Sequence, residues 1–264
     1  MWEFEHGSAA ADFDISYTVP SVCADALRDG ASDIGIIPAA AFAAIPDLVI
    51  LPDVAIAANG PVRSILLVSK VPLEQIRTVA ADTSSRTSVA LLRVLFQRFW
   101  GGSRQFKPMP PDLDSMLACC DAAMLIGDAA LVVDRSRYLT WDLAEEWKRF
   151  TGKPFVFAFW AVRLAALSHL RPGLDLGRLF ATSRDNGLTP RSVSQIARDW
   201  SPRIGLSEPE IVSYLTRNID YGLTPANIEG LQLFYDFASE CGAIPCNPNL
   251  RFLGAQPLMA SLGC

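Results

Sequence analysis

The clearest pattern in the chain is an apolar stripe at helical spacing that follows a run of polar residues. Apolar side chains recur every three or four positions at Val89, Leu92, Leu95, Phe96 and Phe99. This spacing predicts a helix with one buried face. The preceding "RTVAA" is rich in β-favouring residues and predicts a strand. The polar run 82–88 therefore lies on a strand-to-helix turn.

This turn carries more hydroxyl groups than a helix start needs. Five residues supply them: Thr83, Ser84, Ser85, Thr87 and Ser88. One hydroxyl is enough to cap the first free N–H groups of a helix. The surplus leaves two interpretations open. One is a solvated polar turn, and the other is an anion site in which the helix N-terminus and Arg86 hold a carboxylate.

Patterns elsewhere predict strands and helices in alternation, which is typical of an α/β sheet. Residues 13–20 alternate like a strand, and a helix capped by Ser21 and ended by Gly30 follows. Residues 48–70 hold two β-rich runs around a Gly60-Pro61 turn. The last hundred residues are helical, with start signals at Thr189-Pro190 and Thr224-Pro225 and a capping box at 207–210.

A similar phrase occurs twice, about ninety residues apart. "SDIGIIPAAAF" and "CCDAAMLIGDAALVV" each read as an aspartate, an apolar strand, a turn and a small-residue segment. The repetition predicts two α/β lobes that face a shared cleft. "GKPFVFAFWAVR" (152–163) would return the chain to the first lobe, which gives lobes of 1–73 with 154–264 and of 74–153. Because ligands bind beyond the carboxyl ends of strands, the turns at 38–40, 59–64, 83–87 and 127–128 are the candidate site.

Composition and charge exclude several classes of protein. Of 264 residues, 50% are hydrophobic, so a sizeable core can form, and the net charge of −5 without a basic stripe argues against nucleic acid as a partner. The chain has no apolar run near the ~18 residues of a membrane span and no secretory signal. Its cysteines form no C-x-x-C pair and it has two histidines, so no metal site is expected. Reduced thiols fit a cytoplasmic protein.

Each candidate residue also has a purely structural interpretation. Ser64 could be a simple strand-start serine, Asp128 a helix cap, and Asn59-Gly60 only turn chemistry. We expect both histidines, His6 and His169, to be structural or solvent-facing. Trp141, Trp147 and Phe150 lie at helical spacing and are expected in the core. No catalytic triad, P-loop or G-x-G-x-x-G motif is present.

Several runs together resemble the chorismate dehydratases of the futalosine route to menaquinone. They are "DGASDIGIIP", "PDVAIAANGPVRS", "TSSRTSVALL", "PPDLDSML", "DAAMLIGDAAL" and "WKRFTGKPFVFAFWAVR". The resemblance implies a type II periplasmic-binding-protein-like fold with an interlobe cleft, used as a cytoplasmic lyase without a cofactor. It implies chorismate as the small-molecule substrate and Ser64 as the catalytic residue. The expected substrate-binding residues are Gly60, Pro61, Thr83, Ser84, Ser85, Arg86, Thr87, Gly127 and Asp128.

In one respect the chain departs from this family. The family begins with a strand resembling "ISYLN-x-x-P", and the present sequence starts after it, so this strand and its asparagine are expected to be missing. Three other functions stay open: the sister enzyme that makes dihydroxynaphthoate, a non-catalytic binding protein for an aromatic acid, and a sensor of small acids. The sister enzyme uses a histidine base, and neither histidine lies near a predicted cleft turn. The sequence leaves the oligomeric state undetermined.

Overall fold

The computed structural model describes residues 1–7 and 11–254, in which helices and strands alternate through the first two thirds of the chain. The strands are β1 (Ile34–Pro38), β2 (Leu48–Ala58), β3 (Ile65–Ser69), β4 (Thr78–Asp82), β5 (Gln105–Met109), β6 (Ala122–Ile126), β7 (Leu139–Asp142) and β8 (Phe155–Arg163). The helices are α1 (Trp2–His6), α2 (Pro20–Asp29), α3 (Ala39–Phe42), α4 (Arg86–Leu95), α5 (Leu113–Cys119), α6 (Gly127–Leu131), α7 (Leu143–Thr151), α8 (Leu176–Gly187), α9 (Pro190–Ile204), α10 (Glu208–Ser213) and α11 (Pro225–Glu240). Single turns of π-helix extend α4 (Phe96–Trp100) and α10 (Tyr214–Asn218).

The larger sheet has five strands in the order β5-β4-β6-β3-β7. β4 runs parallel to β5 and β6, whereas β3 runs antiparallel to β6 and β7. The three central strands are almost continuously apolar and buried, as expected when helices cover both faces of a sheet. α5 and α6 pack on one face and α4 and α7 on the other.

The smaller sheet has the order β1-β8-β2, with β8 antiparallel to both neighbours. β2 is irregular near Asp53, a non-glycine residue with φ 65°. After β2 the chain passes through residues 59–64, the outward crossing, and enters the larger sheet at β3. It comes back through residues 152–154, the return crossing, into β8. The outward and return crossings are thus the two points at which the chain changes sheets.

Helix α11 approaches the return crossing very closely. A Cβ atom placed on Gly230 of α11 would lie 2.2 Å from the carbonyl oxygen of Pro154. The same carbonyl accepts a hydrogen bond from the indole Nε1 of Trp147, at 3.2 Å. Because the obstacle is backbone, only glycine allows this contact.

Most of the predicted elements are confirmed. Each copy of the repeated phrase forms a strand followed directly by a short helix, β1–α3 and β6–α6, and the α/β fold class with a helical C-terminal region holds. Gly30 ends α2 with φ 77°, and Thr189, Ser207 and Thr224 cap α9, α10 and α11. Trp147 is fully buried in α7, and Trp141 and Phe150 pack partly buried against the same core, but Trp141 lies in strand β7 and does not share the helical spacing predicted for it. No helix in the described part of the chain is both long and apolar enough to cross a membrane.

Two local predictions are wrong. Residues 13–19 form no strand, because within the described residues the only ladder partner of β1 is β8 and no neighbouring strand pairs with this segment. Phe13 and Ile15 instead pack partly buried against α1 and α8. Ser21 does not cap α2, which begins one residue earlier at Pro20 with Val19 at the cap position. The proline ring is already shaped for a first helical residue, so the helix starts there.

The predicted lobe boundaries, 1–73 with 154–264 and 74–153, stay a prediction. Strand pairing places β3 in the larger sheet, so this sheet already begins at Ile65.

Candidate functional site

Three of the four predicted turns lie at one edge of the larger sheet. β4 ends at Asp82 and β6 ends at Ile126, and the two strands are parallel, so both ends lie at the same edge. β3 begins there because it runs the opposite way, with Ile65 opposite Ile126. The amide of Gly127 donates to the carbonyl of Ser64 at 2.8 Å, and the amide of Ile126 donates to Oδ2 of Asp82 at 3.3 Å. The strand order therefore brings the turns at 60–64, 83–87 and 127–128 together.

The outward crossing is held by a buried aspartate. Asp142 ends β7, caps α7, and accepts hydrogen bonds from the amides of Val62 (3.2 Å) and Arg63 (2.6 Å). Arg63 has φ 66°, a left-handed conformation that a non-glycine residue adopts only when its surroundings hold it there. Burial raises the pKa of the Asp142 carboxyl, against the opposing effect of these backbone hydrogen bonds. Asp142 thus fixes the turn from which Ser64 follows.

Ser64 itself is 5% exposed. The phenol of Tyr214, from the C-terminal helices, lies in the same neighbourhood, since Ser64, Asp128 and Arg63 all act on its pKa. Burial raises the pKa of Tyr214, and Ser64 lowers it by less. Gly127 has φ 61° where it begins α6, which places Asp128 in the first turn of that helix at an exposed position.

The hydroxyl-rich turn uses most of its side chains for its own structure. Ser85 caps α4 by accepting from the amide of Ser88 at 3.1 Å. The hydroxyl of Ser84 donates to Oδ1 of Asp82 at 2.6 Å. Thr87 is buried, and its hydroxyl accepts from an amide in α3 at 3.1 Å. Two hydroxyls beyond the cap, those of Ser84 and Thr87, thus have structural partners.

The remaining members of the turn are more accessible. The guanidinium of Arg86 pairs with the carboxylate of Asp25 in α2 at 2.9 Å, in an exposed position. This ion pair connects the start of α4 to the part of the chain that carries the smaller sheet, as Thr87 does through α3. Thr83 is exposed, and among the described residues its hydroxyl has no hydrogen-bond partner.

A cavity of about 460 Å³ lies beside this turn. Its walls come from α3, the start of α4, β5 and the segment after α11, and they include Asp82, Thr83, Ser85 and Arg86. Ser64, Gly127 and Asp128 are not among the described residues that line it. The structure therefore divides the predicted site into a cavity beside α4 and a neighbouring cluster around Ser64.

Three further residues belong to this region and were not among the candidates. Asp82 is 1% exposed and links β6 to the turn at 83–87. Asp142 could have been recognised, since an aspartate three residues before Glu145 is a helix-start signature. Tyr214 has no local sequence signal, because its nearness to Ser64 arises only from the fold.

Comparison with solved structures identifies the class of fold. The chain superposes on a protein of Archaeoglobus fulgidus with a TM-score of 0.64 and 16% identity, covering 92% of this chain and 94% of that one. It superposes on the periplasmic aliphatic sulphonate binding protein of Escherichia coli with a TM-score of 0.61 and 19% identity, over 94% and 85% of the two chains. The fold is that of the periplasmic binding proteins.

Comparison of sequences identifies the family. The model of a menaquinone biosynthesis family matches residues 1–240. A chorismate dehydratase of Thermus thermophilus is 30% identical over 202 residues, which is 70% of this chain and 71% of that protein. The chain belongs to the menaquinone biosynthesis family.

Proposed function

We propose that this protein is a chorismate dehydratase of the futalosine route, a lyase that converts chorismate to 3-[(1-carboxyvinyl)oxy]benzoate and water. The observation that carries the proposal is the 30% identity to the chorismate dehydratase of Thermus thermophilus over about 70% of both chains. The family match over residues 1–240 supports a role in menaquinone biosynthesis. A cytoplasmic location stays a prediction.

The reaction breaks two bonds and forms two, the second C3–C4 bond and an O–H bond of the released water. The C3–H bond and the C4–O bond of the ring break, the C3–C4 bond becomes double, and the proton and hydroxide leave as water. Aromatisation of the ring drives the step. The protein has to hold two carboxylates, orient the ring, and assist the departing hydroxyl, which positioning and fixed dipoles can supply in a water-poor site.

Ser64 is proposed to assist the departing hydroxyl. It is a buried hydroxyl at the edge where the three turns meet, and its backbone is fixed on one side by Gly127 and on the other by the turn that Asp142 holds. Asp128 carries a negative charge beside this cluster and would repel a substrate carboxylate. We therefore place the hydroxyl end of chorismate at Ser64 and Asp128, with Gly60, Pro61 and Gly127 shaping the turns around it.

A substrate carboxylate is proposed to bind at the start of α4, beside the cavity of about 460 Å³. The first amides of this ten-residue helix favour an anion, and Arg86 adds a guanidinium. Thr83 has the hydroxyl that is free to contribute, and Thr87, whose hydroxyl has a partner, would contribute through its backbone amide. Ser84 and Ser85 would shape the turn, because both their hydroxyls and their amides already have partners.

Turnover of chorismate by the purified chain tests the function, with product identified by chromatography and mass. We expect Ser64→Ala to lower kcat by about 10²-fold or more, the usual loss for an oriented donor. Ser69→Ala is the matched control: Ser69 is also buried, ends the same strand β3, and bonds only to backbone groups, the carbonyls of Val71 and Asp121 and the amide of Val71. Chorismate returned unchanged by the parent protein would refute the proposal.

A second candidate is a non-catalytic binding protein for a small aromatic carboxylate. The likeness of the fold to the sulphonate binding protein of Escherichia coli favours it. It predicts saturable binding of chorismate, measured by calorimetry, without any conversion over the time in which the Thermus thermophilus enzyme consumes its substrate.

A further inference from the structure

The cavity beside α4 contains an arginine whose charge has no acidic partner. Arg93 lines this cavity and is half-buried, and its guanidinium forms no ion pair or hydrogen bond with any described residue. Arg98 and Arg149 stack on aromatic rings as Arg93 does, but each also pairs with a glutamate. Removing a charge from water without a counterion costs free energy, so the position of Arg93 favours an anionic ligand.

The ring of Phe106 holds the guanidinium of Arg93 in a defined plane. Cζ of Arg93 lies 4.5 Å from the centroid of this ring. Phe106 is part of β5 and packs against the hydrophobic core, so the ring itself is held in place. Stacking occupies one face of the guanidinium and leaves the N–H groups at its edge free to donate. These groups form the fork that matches a carboxylate.

The other charged groups of the cavity are already paired. Arg86 also lines the cavity, and its guanidinium pairs with Asp25 at 2.9 Å. Asp82 is the one carboxylate among the described residues that line it. Its Oδ1 accepts from the amide and hydroxyl of Ser84, and its Oδ2 accepts from an amide of β6. The charge of Arg93 is therefore the one that a ligand would balance.

The remaining walls suit a flat apolar ring. Alanines from four segments line the cavity: Ala40, Ala41, Ala44, Ala81, Ala90 and Ala243. The volume of about 460 Å³ falls within the roughly 300–1,000 Å³ of small-molecule pockets. Arg86 and Arg93 are seven residues apart in α4, so they lie on the same side of the helix, two turns and roughly 10 Å apart along its axis. The cavity thus offers two separated cations and an apolar surface, which fits a ring that carries two carboxylates.

We propose that Arg93 is a specificity-determining residue that binds the second carboxylate of chorismate, while the start of α4 with Arg86 binds the first. The inference rests on the proposed function and adds to it a requirement for two carboxylates. A monocarboxylate of similar shape leaves Arg93 without a partner, so the cavity selects dicarboxylates.

Calorimetry with two probes tests this selection. One probe is 3-(carboxymethoxy)benzoate, which has two carboxylates, and the other is 3-methoxybenzoate, which has one. We expect the parent to bind the dicarboxylate at least tenfold more tightly. Arg93→Met keeps an apolar stem on the Phe106 ring, and it should weaken binding of the dicarboxylate about tenfold or more while changing the affinity for the monocarboxylate less than about twofold. No preference in the parent, or a parental preference in Arg93→Met, would overturn the proposal.

Arg98→Met is the matched control. It removes a stacked guanidinium from the same helical segment, but Arg98 pairs with Glu240 and is not among the described residues that line the cavity. It should bind both probes as the parent does, and a loss equal to that of Arg93→Met would overturn the proposal by showing a general effect of charge. Urea unfolding checks that each variant is folded. Arg93→Gln, with the same expected loss, decides the question should Arg93→Met fail to fold.

Turnover of chorismate by the parent separates this inference from the proposed function. A parent that leaves chorismate unchanged would refute the function, while the preference between the two probes would still decide whether Arg93 binds a carboxylate. A parent that converts chorismate, together with an Arg93→Met variant that keeps the parental preference, would refute only the role of Arg93.

Discussion

Replacing Asp142 should disturb the candidate site, although Asp142 lies far from Ser64 in the sequence. Its carboxylate accepts from four backbone amides: those of Val62 (3.2 Å), Arg63 (2.6 Å), Ala144 (3.1 Å) and Glu145 (3.2 Å). Two of them belong to the outward crossing and two to the first turn of α7. Asp142→Ala therefore removes a helix cap and the clamp on the turn before Ser64 in one step.

The expected loss of stability follows from these bonds. A buried N–H left without an acceptor costs about 1–3 kcal/mol, and a lost cap costs about 1 kcal/mol. With Val62 buried and Arg63 half-buried, Asp142→Ala should lower the free energy of unfolding by about 3–5 kcal/mol. Asp142→Asn keeps one oxygen but turns an amide N–H towards the N–H of Arg63, and should cost about 1–3 kcal/mol.

Urea unfolding and turnover of chorismate measure the two consequences separately. Asp112→Ala is the matched control, because Asp112 caps α5 through the amide of Ser115 at 2.9 Å and holds no second loop. We expect a clearly smaller loss of stability for the control and an unchanged kcat. In Asp142→Asn the left-handed Arg63 loses its support and Ser64 shifts, which should lower kcat tenfold or more, since misplacement by ~1 Å costs about 10²-fold. Two results together would refute the role of Asp142 in holding the turn before Ser64. They are a loss of stability in Asp142→Ala no larger than in Asp112→Ala, and a kcat of Asp142→Asn equal to that of the parent.

Three further predictions concern individual polar side chains. The backbone amides of Arg77 and Thr78 hold the pKa of Asp121 below its usual range, so the stability from this carboxylate is present above about pH 3.9 and disappears as pH falls through the lowered pKa. Asp121→Asn should therefore cost about 1 kcal/mol in urea unfolding at pH 7 and progressively less as the pH falls below about 3.9, and a difference that did not change with pH would contradict the assignment. Thr87→Val leaves a buried amide of α3 without its acceptor and should lower the free energy of unfolding by about 1–3 kcal/mol; an unchanged unfolding midpoint would show that water replaces the hydroxyl. Thr83→Val should leave stability unchanged but weaken calorimetric binding of the benzoate product about tenfold, because its hydroxyl is free for a ligand, and parental affinity would exclude it from the carboxylate site.

The elements that the sequence predicts well are those whose cause is local. The strand before the polar run and the helix after it follow from residues within one window, as do the caps at Thr189 and Thr224. The meeting of the turns at 60–64, 83–87 and 127–128 is also predictable, because strand ends in an α/β sheet share an edge.

What the sequence could not predict depends on partners far along the chain. The surplus of hydroxyls after β4 is visible, but the amide of α3 that occupies Thr87 is not. Apolar and polar residues alternate over 13–19 as they do in a strand, but the pattern does not by itself supply a second strand for hydrogen bonding. Tyr214 lies in an ordinary helical stretch, and only the fold brings it into the neighbourhood of Ser64.

The contact between Gly230 and Pro154 has a mechanical consequence. α11 lies directly against the return crossing, with no side chain of residue 230 between them. The ion pair between Lys153 and Glu229 connects the same two segments. Both crossings are therefore held by contacts other than strand pairing, the return crossing by α11 and the outward crossing by Asp142 and Asn218. A rotation of one sheet against the other would have to strain one of these contacts.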